Sequence, residues 1–455
     1  MAATALSGLD TAFLSLDSTS SPMNIGALAL FAPPQPVHPA RLAELLRTRA
    51  ERIPRLRQRV RGSLLPLGVV RWVDDPRFDA AAHIHQHHLP RPHDTAQLTD
   101  RVADIMGERL DPGRPLWEIH VLTGLPGGRF AILPKLHHAL ADGAGAVLLG
   151  LSLLDGIDGR LASRRRPAPT SGGPAANGLG AGMRSLGLGE GLRSLGLGEG
   201  LRSLGSSAQQ AMDIAGSVLR SARPTPPPSP LLAPTSSDRR LATVRLELAD
   251  VKRVRRAHGG TTNDVLLSVL AGALREWLIA RGDRTFTPRA LIPVSQRGRD
   301  RGVAGNQLSG YLCDLPADEA DPVRRLAAVR ATMDGNKEAG PGRGPGALPV
   351  LADRVPAAVH RLMMPVFGQC ASLLCDTVVT SVPLPNVPLF FDEAQLQEVY
   401  PVVPLAPGHA LGVAFSTYRD TVHVGLHANG TALPDIDLLA EAFTGTLGYL
   451  NQMCA

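Results

Sequence analysis

The chain has 455 residues, 44% hydrophobic and 19% charged, with a formal net charge of +6. That length exceeds one ordinary core and predicts two domains of roughly 100 to 200 residues each plus a connection, and the apolar content excludes global disorder. Lysine occurs only at Lys135, Lys252 and Lys337, and basic clusters such as Arg164, Arg165 and Arg166 carry few interleaved aromatics, so solvated faces rank first, an anionic ligand or membrane surface second and nucleic acid last.

The opening stretch MAATALSGLDTAFLSLD has no basic region ahead of its apolar residues and meets Asp10 early. It does not read as a secretion signal, and the protein is expected to stay inside the cell. The segment HIHQHHLPRPH then supplies His83, His85, His87, His88 and His93. Alternate positions share a strand face and invite a metal, but no acid or thiolate stands beside them in sequence, so the expectation is polar surface and no metal site.

In PLWEIHVLTGLPGGRFAILPKLHHALADGAGAVLLG, the alternation of Trp117, Ile119 and Val121 against Glu118 and His120 predicts a strand. Pro126, Gly127 and Gly128 supply a turn, RFAILPKL a second strand, and AGAVLLGLSLL a helix. From residue 161 to 240 the composition shifts to Gly, Ser, Pro and Ala. This reads as a linker, within which RSLGLGEGL at 184 to 192 recurs at 193 to 201. The glycines of that repeat cost a helix close to 1 kcal/mol each relative to alanine, so linker outranks lipid anchor.

Beyond it, LATVRLELAD reads as a strand with Asp250 capping a helix that starts at Val251. TTNDVLLSVLAGALREWLIARG is an amphipathic helix with Asn263 and Asp264 near its start. RALIPVSQR and DTVVTSVPLP read as strands, HALGVAFSTYRDTVHVGLHAN as a hairpin and DIDLLAEAFTGTLGYL as a closing helix. The longest uncharged stretch, 399 to 418, is broken by prolines, so no bilayer-spanning helix is expected. Cys313, Cys370, Cys375 and Cys454 form no C-x-x-C pair and read as free thiols. Strands and helices mix in both halves, which gives an α/β or α+β class of layered sheets and helices.

The candidate chemistry is the H-H-x-x-x-D-G pattern of His137, His138, Asp142 and Gly143 at a strand-to-helix turn. A neutral imidazole there, exposed on one side and fixed on the other, suits a general base. Adjacent residues at a strand end point in opposite directions, so His138 is assigned to the substrate side and His137 to support. Asp142 reads as structural, capping the helix or pairing with an arginine. Serine-hydrolase, zinc-protease and phosphate-loop motifs are absent from the sequence.

These residues together resemble the bacterial wax ester synthase/acyl-CoA:diacylglycerol acyltransferases, within the chloramphenicol acetyltransferase superfamily. The likeness runs from LSGLDTAFLSLDSTSSPMNIGALALF through Pro115, Leu116 and Trp117, the double-histidine motif, Asn263 with Asp264, PVSQRGRD, and LHANGTALPDID. Two departures stand out: TSVPLP has Ser381 and Leu384 where the family usually has asparagine and glycine, and Asn24 stands where histidine is usual.

The resemblance implies two chloramphenicol acetyltransferase-like domains, 1–160 and 241–455, joined by the 161–240 crossover linker with a channel between them. It implies direct transfer of a fatty acyl group from acyl-CoA to diacylglycerol or a long-chain alcohol, without a cofactor, at the cytoplasmic membrane face or on lipid inclusions. His138 would deprotonate the acceptor. Asp142 would hold its loop through an arginine such as Arg297, Asn263 and Asp264 would support the site from the other domain or simply cap their helix, and Pro115, Leu116 and Trp117 would shape the core or acyl channel. Two other readings remain open: a superfamily acyltransferase that uses a carrier-protein thioester, and a lipid-surface binding protein without turnover.

Overall fold

The structure, a computed structural model, describes residues 4–62, 70–91, 94–155, 223, 229–295, 308–339 and 372–454. The nine-residue repeat, His93, Arg297 and Cys370 lie outside the described residues.

The first half runs β1 (Thr4–Ala5), α1 (Gly8–Leu16), β2 (Asn24–Ala32), α2 (Pro39–Glu51), β3 (Gln58–Gly62), β4 (Val70–Asp74) and β5 (Ile84–His88). It continues with α3 (Thr95–Gly107), β6 (Trp117–Thr123), β7 (Phe130–His137) and α4 (Gly143–Ser152). After residue 229 come β8 (Arg239–Glu247), α5 (Leu248–His258), α6 (Thr262–Ala280), β9 (Arg289–Ser295), β10 (Leu308–Asp314) and α7 (Pro322–Ala339). The chain ends in β11 (Thr377–Pro383), β12 (Phe390–Phe391), β13 (Ala394–Val402), β14 (Leu411–Tyr418), β15 (Thr421–Asn429) and α8 (Ile436–Gln452). The mixed sheet-and-helix class follows as expected, as do the strands around Trp117 and Phe130 and the hairpin at 411–429.

One expectation is corrected. The helix after β8 starts at Leu248, so Asp250 sits inside its first turn, and the capping residue Glu247 makes no side-chain cap. The apolar period of Leu248, Val251 and Val254, all buried, already begins at Leu248.

Two six-stranded mixed sheets dominate, in the orders β12-β13-β2-β7-β6-β5 and β10-β9-β11-β14-β15-β8, beside a small β1-β4-β3 sheet. Strands β12 and β13, late in sequence, therefore complete the sheet built by the first half, with β13 antiparallel to β2. β13 also packs against β14 and β15. The approach is so close that a side chain at Gly425 of β15 would meet the Pro401 carbonyl at 2.0 Å, which only glycine avoids. The two halves are thus interleaved through strands as well as apposed.

The second sheet carries the largest core, in which α6 buries residues 264–274 without a break. On the first sheet, one face gathers Trp117, Ile119, Val121, Phe130 and Ile132. The opposite face carries Leu28, Leu30, Leu122 and Leu133 under Leu98, Val102 and Met106 of α3, and Leu241 of β8 joins the same cluster. α3 therefore spans both halves. It also lies over the face from which His137 projects, since Leu133, Lys135 and His137 alternate with Ile132 and Leu136.

Candidate active site

Gly127 and Gly128 take left-handed φ of 70° and 69° and turn β6 back into β7. β7 ends on His137, whose carbonyl accepts from Leu140 N–H at 2.8 Å, so the chain turns at once. Asp142 then caps α4, its Oδ1 accepting from Gly145 N–H at 2.7 Å. Two further bonds fix the histidine backbone: His137 N–H donates to Leu116 O at 3.0 Å, and His138 N–H donates to Met23 O at 2.8 Å. The double-histidine turn is thus held by the Pro-Leu-Trp segment on one side and by the entry to β2 on the other.

The two rings meet different surroundings. His137 is buried at 1% exposure, its Nδ1 accepting from Ala139 N–H at 3.0 Å, whereas His138 is half-buried. The His138 ring lies flat on Phe13 of α1, with centroids 3.9 Å apart and planes 16° from parallel. Loss of hydration pushes both imidazoles down to about 4, opposed at His137 by Asp17 and at His138 by its own backbone carbonyl and Asp142. Both rings are therefore neutral around pH 7, the state a base requires.

Pro115, Leu116 and Trp117 are buried, and Trp117 Nε1–H donates to Leu56 O at 2.7 Å. They build the wall behind the motif. Gly143 opens α4, and a Cβ there would touch nothing within 4 Å. Asp264 completes a reciprocal cap with Thr261 and lies 3.8 Å from Lys337, while Asn263 is half-buried beside it. No hydrogen bond or ion pair among the described residues joins either to the histidines; of the two, Asp264 takes part in the helix cap. Arg297, the suggested partner of Asp142, lies outside the described residues.

Leu384 is not among the non-glycine residues with positive φ, so losing glycine there imposes no left-handed strain. It packs against the first-half core. Asn24 faces His137 across the β2–β7 pair and donates from Nδ2 to Met106 O and Glu108 O, fastening α3 over the site.

The histidine-rich strand finds partners that its own segment lacked. His87 Nε2 lies 2.9 Å from His120 Nδ1, His120 Nε2 lies 3.3 Å from Glu118, and Lys135 Nζ donates to the same carboxylate at 3.0 Å. Arg101 Nη2 reaches His87 Nδ1 at 3.1 Å. With both rings neutral, one assignment of protons satisfies every bond, running from Arg101 through His87 and His120 to Glu118. The lone pairs a metal would need are then engaged, and no metal-holding group occurs among the described residues.

Sequence reading singled out neither Phe13 nor Asp17. Both lie in the segment that opens the family resemblance, and their contacts with the two histidines, more than 100 residues away, depend on how α1 docks beside β7. A cleft of about 600 Å³ adjoins Asp17's partner Arg109, lined also by Thr19, Ser20, Gly107, Glu108 and Ser237.

Similarity to known proteins gives the family. The model of the wax ester synthase/diacylglycerol acyltransferase catalytic domain matches residues 6–266, and that of the family's C-terminal domain matches residues 304–451. The chain belongs to this family. Among relatives, a putative diacylglycerol O-acyltransferase of Mycobacterium bovis and a probable one of Mycobacterium tuberculosis are each 33% identical over 451 residues, 98% of this chain and 95% of theirs. The wax ester synthase/diacylglycerol acyltransferase of Marinobacter aquaeolei VT8 shares the fold at a TM-score of 0.71 and 24% identity, over 99% of this chain and 100% of that one. The first condensation domain of the calcium-dependent antibiotic synthetase shares it more distantly, at 0.59 and 17%, over 100% of this chain and 96% of that one.

Proposed function

We propose that this acyltransferase moves a fatty acyl group from acyl-CoA to diacylglycerol or a long-chain alcohol, with His138 as the general base and no cofactor. The supporting observation is a neutral, half-buried imidazole, fixed through its backbone and by Phe13, at the family's own motif. The acceptor hydroxyl gives its proton to His138 as its oxygen bonds to the thioester carbonyl carbon. When the tetrahedral intermediate collapses, the carbon–sulfur bond breaks and the imidazolium protonates the departing thiolate. Such base catalysis contributes roughly 10² to 10⁴ in rate.

Purified protein given palmitoyl-CoA with diolein or hexadecanol is expected to release free thiol together with the ester. Thiol release only from a carrier-protein donor redirects the assignment to another superfamily chemistry, and lipid binding without ester synthesis from any donor rejects it.

The same proposal places the protein peripherally on an anionic lipid surface at the cytoplasmic side. No described helix is long and apolar enough to cross a membrane. α5 instead exposes Lys252, Arg253, Arg255 and Arg256, while Tyr449 and Met453 at the end of α8 are 59% and 53% exposed. Each cation near an anionic surface contributes about 1 kcal/mol, and the exposed apolar groups add contact with acyl chains. Flotation with phosphatidylglycerol vesicles at low salt, lost in high salt and with purely zwitterionic vesicles, is the expected behaviour; salt-independent failure to float overturns it.

A further inference from the structure

The neutral His137 ring has only one consistent tautomer. Because Nδ1 accepts a hydrogen bond from Ala139 N–H, the ring proton sits on Nε2. That nitrogen is buried without a hydrogen-bond partner among the described residues, and the Oδ1 atom of Asp17 lies 3.7 Å from it. A buried N–H left unsatisfied is costly, and a movement of well under an ångström would close this gap.

Asp17 is tied down on its other contacts. It follows the last turn of α1 with its side chain only 4% exposed, accepts from Met23 N–H at 2.9 Å through Oδ1, and takes the guanidinium of Arg109 on Oδ2. Met23 is also the residue whose carbonyl receives His138 N–H. One carboxylate therefore faces the His137 ring across 3.7 Å and reaches the His138 backbone through a single residue, Met23. The loop that carries it is fastened to the second half: Arg239 Nη2 donates to Ser20 O at 3.0 Å and Ser21 Oγ donates to Leu405 O at 2.9 Å.

We propose that Asp17 is a positioning residue for the histidine pair, holding the His137 ring through its Nε2–H and the His138 backbone through Met23, with Arg109 anchoring the carboxylate. This rests on the reading of His138 as the base, and its test has a readout that does not depend on that reading. Removal of the carboxylate loosens the backbone at Met23 and the His137 ring together, so His138 drifts from its place over Phe13 while the substrate contacts elsewhere persist.

The test compares Asp17→Ala, Asp17→Asn and Asp17→Glu in the full chain with Asp94→Ala, which removes the exposed cap of α3, where Asp94 accepts from Gln97 N–H at 2.9 Å. Misplacement of a reacting group by an ångström costs on the order of 10²-fold, so Asp17→Ala is expected to lose that much kcat with KM for acyl-CoA little changed. Asp17→Asn, which keeps one oxygen for Met23, recovers part, and Asp94→Ala keeps the parent kcat. Independently, ¹⁵N spectra of histidine-labelled protein are expected to show His137 as the Nε2–H tautomer in every variant, held there by Ala139, with its Nε2–H resonance displaced in Asp17→Ala and Asp17→Asn. Parent-like kcat in Asp17→Ala, or in Asp17→Asn should the alanine variant fail to fold, overturns the proposal. So does an Nε2–H resonance of His137 that stays at its parental position in Asp17→Ala and Asp17→Asn. A displaced Nε2–H resonance in a protein without transferase activity would instead sink the base assignment and leave the Asp17 contact standing.

Discussion

Replacing Glu118 by glutamine tests the ionic seam beneath α3. Lys135 is fully buried, and its ammonium donates to Glu118 at 3.0 Å. Burial alone would push the Glu118 carboxyl up, yet the hydrogen bond from His120 and the charge and hydrogen bond of Lys135 hold it down at about 2. Relative to an ordinary glutamate, that depression corresponds to about 3 kcal/mol at neutral pH. Breaking one side of a buried pair costs about 3 to 5 kcal/mol, because the remaining charge is stranded. Glu118 keeps 26% of its side-chain surface, which places the expected loss near 3 kcal/mol.

Trp72 and Trp117 both lie in the first-half core and Trp277 in the other, so denaturation followed by tryptophan fluorescence in a Trp277→Phe background reports this half alone. Glu118→Gln is expected to unfold at clearly lower denaturant, and Glu118→Leu with Lys135→Met to recover most of the loss. Because the folded carboxyl lies below its unfolded value, this contribution is complete above pH 4.5 and disappears as pH falls toward 2. A Glu118→Gln protein that unfolds with the parent would refute the buried-pair reasoning.

Asp142→Ala removes the α4 cap and is expected to cost about 1 kcal/mol or more in the same denaturation experiment, with Asp142→Asn recovering the part due to capping. Trp117→Ala empties a fully buried site and orphans the Leu56 carbonyl, for a loss of about 3 to 5 kcal/mol visible as a large fall in melting temperature. His137 and His138 titrate near 4 when folded and near 6.5 when unfolded, so the unfolded chain binds more protons between those values. Stability is therefore expected to fall as pH drops from 6.5 toward 4 and to be flat above 7 as far as these two groups are concerned, as melts across that range would show.

Much of the site was legible because it is local. The turn from β7 through His137 to α4 needs only alternation along FAILPKL, two adjacent histidines that must diverge, and an Asp-Gly pair where a helix begins. The capping role of Asp264 was legible for the same reason, whereas its partner Thr261 was not singled out. What stayed hidden depends on pairings set by register and docking. His120 of β6 meets His87 of β5 because those strands lie side by side in parallel, and Glu118 meets Lys135 through the antiparallel β6–β7 register. Asp17 needed α1 placed against the end of β7. The crossing of β12 and β13 into the first sheet left no mark in the sequence, since a strand's alternation does not say which edge it joins.

The most direct measurement is the single-turnover rate of acyl transfer from palmitoyl-CoA to diolein by His138→Ala, alongside a melt confirming that the variant is folded. Loss of the base is expected to slow transfer by roughly 10² to 10⁴ while acyl-CoA still binds. A folded variant that transfers at the parental rate would show that the proton leaves the acceptor by another route.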